Sequence, residues 1–198
     1  MDGSTIPGEG SVKAMGKEAL FREKRGHSLI ELMIVIVIVG ILAVAMVVNM
    51  NSQSLHKLRA AAEKLASDIR YAQAFARATG NWAKVNFFGK TNAYDVEWVT
   101  AGSATENNII DPLYPNKNIN VDFTLATSPY QGVTFPVPTC QGANDLLFNA
   151  LGVPMCCGGT HSPCPKMTGT FTVTLSYGGR QCTVDVMQET GMVTVSVQ

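Results

Sequence analysis

The sequence predicts an α+β protein: one long N-terminal α-helix, membrane-spanning in its first half, packed through its second half against an antiparallel β-sheet head. Three observations carry this. Residues Leu32–Val48 form a run of 17 without a charge. No proline interrupts residues 27–79. Beyond Gly80 the hydrophobic period falls from about 3.6 residues to 2, the change from a helix face to a strand face.

The totals bound the answer. A chain of 198 residues makes one domain with room for an attached membrane segment. Fifteen basic and fifteen acidic side chains cancel, so no global field draws nucleic acid. Charged residues are 15% and hydrophobic ones 46%, which suits a membrane anchor with a modest polar part. Residues 1–26 are small, polar and mixed in charge without periodicity, the composition of a disordered leader.

Arg22, Lys24 and Arg25 stand directly before the apolar run. The positive-inside rule then keeps the N-terminus in the cytoplasm and sends the head across the membrane. At 1.5 Å per residue, Leu32–Val48 reaches about 26 Å, close to the hydrocarbon thickness of a bilayer. Three readings fit such a segment. One is a plain N-terminal anchor. The second is a secretory signal removed after Ala43-Val44-Ala45. The third is a signal cut between Gly26 and His27 that leaves the apolar helix on the mature chain. Glu31 separates them, because a carboxylate in the first turn of a membrane helix costs up to roughly 2.5–3.5 kcal/mol if carried to the bilayer centre. A plain anchor gains nothing from it. Cleavage after Gly26 places a new amine on His27 one helical turn from Glu31, where each can neutralise the other or its counterpart in a neighbouring subunit.

The stretch Lys24-Arg25-Gly26-His27-Ser28-Leu29-Ile30-Glu31-Leu32-Met33, continued by Ile34 to Ala43, resembles the class III signal of type IV prepilins and type II secretion pseudopilins. The resemblance implies cleavage by prepilin peptidase between Gly26 and His27, N-methylation of His27, and a role for Glu31 in aligning subunits during assembly. The first mature residue is His27 where the family usually has Phe, and Val48 stands where it usually has a proline that kinks the helix.

After Asn49-Met50-Asn51-Ser52 the pattern turns amphipathic. Leu55, Leu58, Ala62, Leu65, Ile69, Ala72 and Ala76 recur three and four apart. Gly80-Asn81 supplies the stop, so one helix of roughly 80 Å is expected over 27–79. A coiled coil is the rival for this seam, but its alanines favour close packing on a sheet. Asp68, Arg70, Ala72 and Ala76 match a D-x-R-x-A-x-x-x-A run that resembles the GspH/FimT group of minor pseudopilins.

Strands are expected at Ala83–Phe88 and Tyr94–Thr100, then at Val133–Val137 and Leu146–Asn149. Phe171, Val173, Leu175 and Tyr177 alternate with Thr and Ser, Gly178-Gly179 turns, and Cys182, Val184 and Val186 answer. Glu189-Thr190-Gly191 then leads into Met192–Val197. Residues 101–132, rich in Asn, Ser, Thr and Pro, read as a variable loop. It is a surface loop, a partner-binding loop, or a calcium site built from Asp95, Glu97, Asn108 and Asp111, which lack a recognisable ligand spacing. Phe148-Asn149-Ala150-Leu151-Gly152, the hairpin and Thr190-Gly191-Met192-Val193 resemble the C-terminal half of the same GspH/FimT group.

The cysteines Cys140, Cys156, Cys157, Cys164 and Cys182 all lie in the last third. Behind an export signal they read as disulfide candidates, with one left over. A bridge from Cys156 or Cys157 to Cys164 would close the glycine-rich loop. Zinc held by the 156–164 thiols and His161 is the alternative, but adjacent cysteines rarely serve one ion. No nucleophile elbow, phosphate loop or paired carboxylate stands near His27, His56 or His161, so catalytic residues, cofactors and metals are none. The tail Met192–Gln198 is uncharged, against DNA binding.

The sequence thus resolves into a leader, 1–26, that is removed; a helix, 27–80, crossing the inner membrane over about 30–50; and a periplasmic head, 81–198. The resemblance implies a minor pseudopilin or pilin with two kinds of partner, prepilin peptidase and the other subunits of its filament. The competing class is a bitopic, membrane-anchored periplasmic enzyme or binding protein.

Overall fold

Helix α1 runs from Leu29 to Thr79. The computed structural model describes residues 28–87, 91–100, 103, 105–157 and 164–198, without the side chains of 45–52. Residues 1–27, 88–90, 101–102, 104 and 158–163 lie outside these residues. The chain divides into two units, Met1–Ala43 and Val44–Gln198. In the first, the Ser28 carbonyl accepts from the Glu31 and Leu32 amides at 2.9 and 3.2 Å, opening the helix.

In the second unit, the expected seam is the buried face of α1. Leu58, Ala62, Leu65, Ile69, Ala72 and Ala76 are wholly buried, with Ala61 and Ala66 widening the stripe. Each large aliphatic side chain buried there contributes about 1.5–3 kcal/mol. The alanines let the backbone lie close to the sheet. Gly80 ends the helix at φ +71°, its amide bonding the Ala76 carbonyl at 3.0 Å, a left-handed cap that a residue with a Cβ resists.

The larger sheet is antiparallel throughout, in the order β3-β2-β1-β7-β8. Its strands are β1 (Trp82–Asn86), β2 (Ala93–Val99), β3 (Glu106–Asn108), β7 (Asp145–Phe148) and β8 (Pro154–Cys157). A sixth strand, β6 (Asn120–Asp122), shares the free edge of β2 with β3. The second sheet is the expected C-terminal meander: β9 (Phe171–Tyr177), β10 (Arg180–Val186) and β11 (Val193–Val197), in the order β11-β10-β9. Phe87, Phe123, Phe135 and Phe171 meet between the elements, with ring centroids 5.7–6.1 Å apart. The α+β architecture is the one the sequence predicts.

Two expectations need correction. The variable loop 101–132 carries β3, β6 and a hairpin of β4 (Ile110–Asp111) and β5 (Tyr114–Asn118). The segment leaves the sheet at Ile109 and returns at Ile119, both buried. Val96 lies between them, accepting from the Ile109 amide and donating to the Ile119 carbonyl, each at 3.0 Å. Two buried isoleucines in a polar stretch are too few to show a period. Conversely, Val133–Val137 forms no strand. Val133 and Phe135 point inward as alternation requires, but pairing is limited to the Thr134–Ser176 bridge, and Pro136 has no amide to extend it.

Candidate functional site

Two stretches of α1 bear on function. Over the first, every large apolar side chain from Leu29 to Val44 is more than half exposed, from 51% at Ile38 to 88% at Leu29. Residues 28–44 are exposed without exception, so the apolar surface runs around the whole helix. Such a helix needs apolar surroundings on all sides. Among the described residues no helix is long and apolar enough to cross a membrane; the described apolar side chains end at Val44, four residues before the uncharged run does. Glu31 is the acidic residue of the first turn, where the helix dipole favours a carboxylate. Gly26 and His27, the predicted cleavage and methylation positions, lie outside the described residues.

The second stretch fastens the helix to the head through polar side chains. Asp68, 4% exposed, accepts from Lys64 Nζ and from the Tyr94 hydroxyl of β2, each at 2.8 Å. Lys64 also lies 3.6 Å from Asp111 of β4. Burial opposes the charge on Lys64, but its hydrogen bond to Asp68 and the charges of Asp68 and Asp111 outweigh it and raise its pKa. Burial and the adjacent Asp68 charge push the Tyr94 phenol well up, so it stays a donor. Arg70 donates to the Val193 carbonyl of β11 at 2.9 Å. Gln73 donates to two carbonyls, Gly152 at 2.9 Å and Thr190 at 2.8 Å.

This arrangement explains the motif residues physically. Asn149 Oδ1 accepts from the amides of Leu151 and Val153, folding a tight turn that brings Gly152 to α1 at φ +73°. A Cβ on Gly152 would overlap the Arg77 side chain, and one on Gly191 (φ +66°) would overlap the Gln73 amide. Asp68, Arg70, Gln73, Gly152 and Gly191 are therefore the two halves of one lock. Sequence reasoning missed Tyr94 and Gln73, whose partners lie 26–117 residues away, and Lys64, which pairs with Asp68 one turn on and with Asp111 on another element.

The cysteines sort by strand geometry. Cys156 and Cys157 are neighbours on β8, so their side chains point to opposite faces. Cys156 joins the main core and pairs with Cys140; Cys157 joins the smaller cluster with Val99 and Leu147 and pairs with Cys164. Cys182 is a buried free thiol on β10. The calcium candidates do not converge: Glu97 stands opposite Asn108 in the sheet and beside Lys84 at 3.0 Å, while Asp111 faces Lys64. Among the described residues no cluster of metal-ligating side chains forms; His161 lies outside them.

Residues 21–47 match the model of the prokaryotic N-terminal methylation motif. The N-terminus is of the prepilin type. The motif thus covers the start of α1 and its exposed apolar stretch. No curated protein matches the chain. Among solved structures, it is similar to two crystal forms of the type IV minor pilin FimU of Pseudomonas aeruginosa. Identities are 19% and 18% and TM-scores 0.44 and 0.43, covering 71% and 70% of this chain and 89% and 92% of those. It is also similar to the minor pseudopilin EpsH of the type 2 secretion system of Vibrio cholerae, with 14% identity, a TM-score of 0.46, and coverage of 71% and 97%.

Proposed function

We propose that the chain is a minor pilin-like subunit, made as a prepilin and cut between Gly26 and His27 by prepilin peptidase, which methylates His27. The leader 1–26 is discarded, the N-terminal half of the 27–80 helix, about 30–50, anchors the subunit in the inner membrane, and the head 81–198 works in the periplasm. The subunit then enters a short filament near its tip, in a type II secretion pseudopilus or a type IV pilus, the first being preferred. Its work is assembly and partner contact rather than catalysis.

The observation that carries this reading is the methylation motif over 21–47, placed on a helix that is apolar on every side. A surface of this kind is satisfied by lipid before assembly and by the helices of other subunits after it. Glu31 is the one acidic residue along that surface. Its desolvation is favourable only opposite a positive charge, and the His27 amine of the same or the next subunit supplies one.

The test is mass analysis of the mature N-terminus with Glu31→Ala in parallel. A chain beginning at methylated His27 is expected, and Glu31→Ala should be cut normally yet fail to enter filaments. A mature chain beginning at Met1 or Met46 would sink the reading. Unchanged incorporation of the Glu31 variant would remove the charge-pairing mechanism alone.

A further inference from the structure

Along α1 no Asp, Glu, Lys or Arg occurs from Leu32 to His56. Lys57 is the first charge and Arg59 the second, and the first acid, Glu63, lies 4.0 Å from Arg59. The head meets the helix at this level. Strands β9 and β10 turn at Gly178 and Gly179, with φ +59° and +77°, and a Cβ on Gly178 would stand 3.3 Å from the Ser54 side chain. Lys57 Nζ lies over the Tyr177 ring, 4.7 Å from its centroid. A cleft of about 360 Å³ opens there, lined by Gln53, Ser54, Lys57 and Tyr177. Its volume is that of a small-molecule site.

No carboxylate lines this cleft. The Tyr177 ring holds Lys57 in place without neutralising it, so the ammonium still calls for an anion. Gln53 and Tyr177 add an amide and a phenol as neutral donors. Arg180, exposed at the end of the same turn, adds a second positive charge. Position then identifies the anion. With the membrane span ending near residue 50, Gln53 and Ser54 stand about 4.5–6 Å beyond the hydrocarbon along the helix. The headgroup layer on each side of a bilayer is about 5–7 Å deep. Side chains on a helix lean toward its N-terminus, so Lys57, one turn further on, leans back toward that layer. Tyrosine is likewise a residue of membrane–water interfaces.

We infer that this cleft binds the phosphate headgroup of an anionic phospholipid at the periplasmic face of the membrane. The inference rests on the anchored reading proposed above. Lys57 meets the phosphate oxygens, and Gln53 and Tyr177 bond the phosphate or the headgroup hydroxyls. Arg180 answers the net charge that separates an anionic lipid from a zwitterionic one, which carries its own cation. Removal of the leader takes away Arg22, Lys24 and Arg25. In the mature chain Lys57 is then the lysine or arginine nearest the apolar run, and the headgroup it holds sets how deep the base of the head sits.

The test uses the full-length chain in a non-ionic, phosphate-free detergent. Three probes are titrated: dihexanoyl phosphatidylglycerol, dihexanoyl phosphatidylcholine and inorganic phosphate. The readout is the amide NMR shifts of Gly178 and Gly179. Phosphatidylglycerol should saturate with Kd of roughly 0.1–1 mM, with the other two probes at least ~5-fold weaker. Lys57→Ala should weaken phosphatidylglycerol at least ~5-fold, with melting temperature unchanged. Lys57→Arg should keep the binding, and Lys166→Ala, at the exposed pair with Glu189, should not alter it. Equal binding of the two lipids, or an unchanged affinity in Lys57→Ala, overturns the inference. Inorganic phosphate held as tightly as phosphatidylglycerol means an adventitious ion only, and overturns it too. Membrane fractionation of the wild type reads the anchor separately. A chain absent from the membrane fraction fails both readings, whereas a chain retained there without lipid preference fails this one alone.

Discussion

The two halves of α1 are built from one continuous helix and solve opposite problems. Residues 29–44 are apolar on every side and exposed on every side. Residues 58–76 are apolar on one face, wholly buried there, and use polar side chains to bind the head. The second half buries its apolar face, whereas among the described residues the first half is exposed throughout. The comparison shows where helix stability resides: in the second half it comes from packing plus directed hydrogen bonds, whereas in the first it must be supplied by surroundings.

The sharpest way to break the second half is Asp68→Ala. It strands the wholly buried Tyr94 hydroxyl and leaves Lys64 only Asp111 at 3.6 Å, and removal of one partner of a buried charged set costs up to about 3–5 kcal/mol. Thermal unfolding of the full-length chain should show the loss. A melting temperature within experimental scatter of the wild type would mean that the lock is ornamental.

Gln73→Leu keeps the volume but removes the donor shared by the Gly152 and Thr190 carbonyls, and should cost about 1–3 kcal/mol. Hydrogen exchange reads this locally. Protection should fall first at the turns around Gly152 and Gly191, and uniform loss across the head would instead mean that Gln73 acts by packing.

Alkaline titration is a milder probe. The folded pKa of Lys64 is raised, by Asp68 and Asp111 against its own burial. Its contribution is fully present below the ordinary lysine pKa of about 10.5 and is lost as pH rises through the higher folded value. Lys64→Met should therefore flatten the stability profile above about pH 10.5. An unchanged slope would assign the alkaline loss to the tyrosines or to Lys84.

The smallest effect belongs to the first half. Ile36→Ala should leave unfolding of the head unchanged within about 0.5 kcal/mol, because Ile36 is 62% exposed. Its effect should fall on retention in the membrane fraction and on filament incorporation. A shift in head stability would mean that the first half of α1 also stabilises the head.

Much of this was legible in the chain itself. The seam of α1, the C-terminal meander and the apolar N-terminal half are periodic patterns over many residues, and periodicity survives translation into structure because it encodes a face. The irregular elements were not legible, each for its own reason. Strands β3 to β6 are short and polar, with Ile109 and Ile119 as buried apolar side chains beside them. Strand β8 is four residues inside a cysteine-rich stretch. The 133–137 strand failed because alternation specifies which side chains go inward but not whether a neighbouring backbone is there to pair.

The sequence by itself determined the long helix, its apolar first half, the position of Glu31 and the two-period architecture, since all of these are local in the chain. Tertiary structure alone decided which carbonyls Gln73 reaches, why Gly152 and Gly191 must lack a Cβ, how two adjacent cysteines come to have different partners, and that a polar insertion folds into strands. Those depend on groups tens of residues apart meeting at hydrogen-bond distance, and no spacing along one chain encodes a distance across a fold.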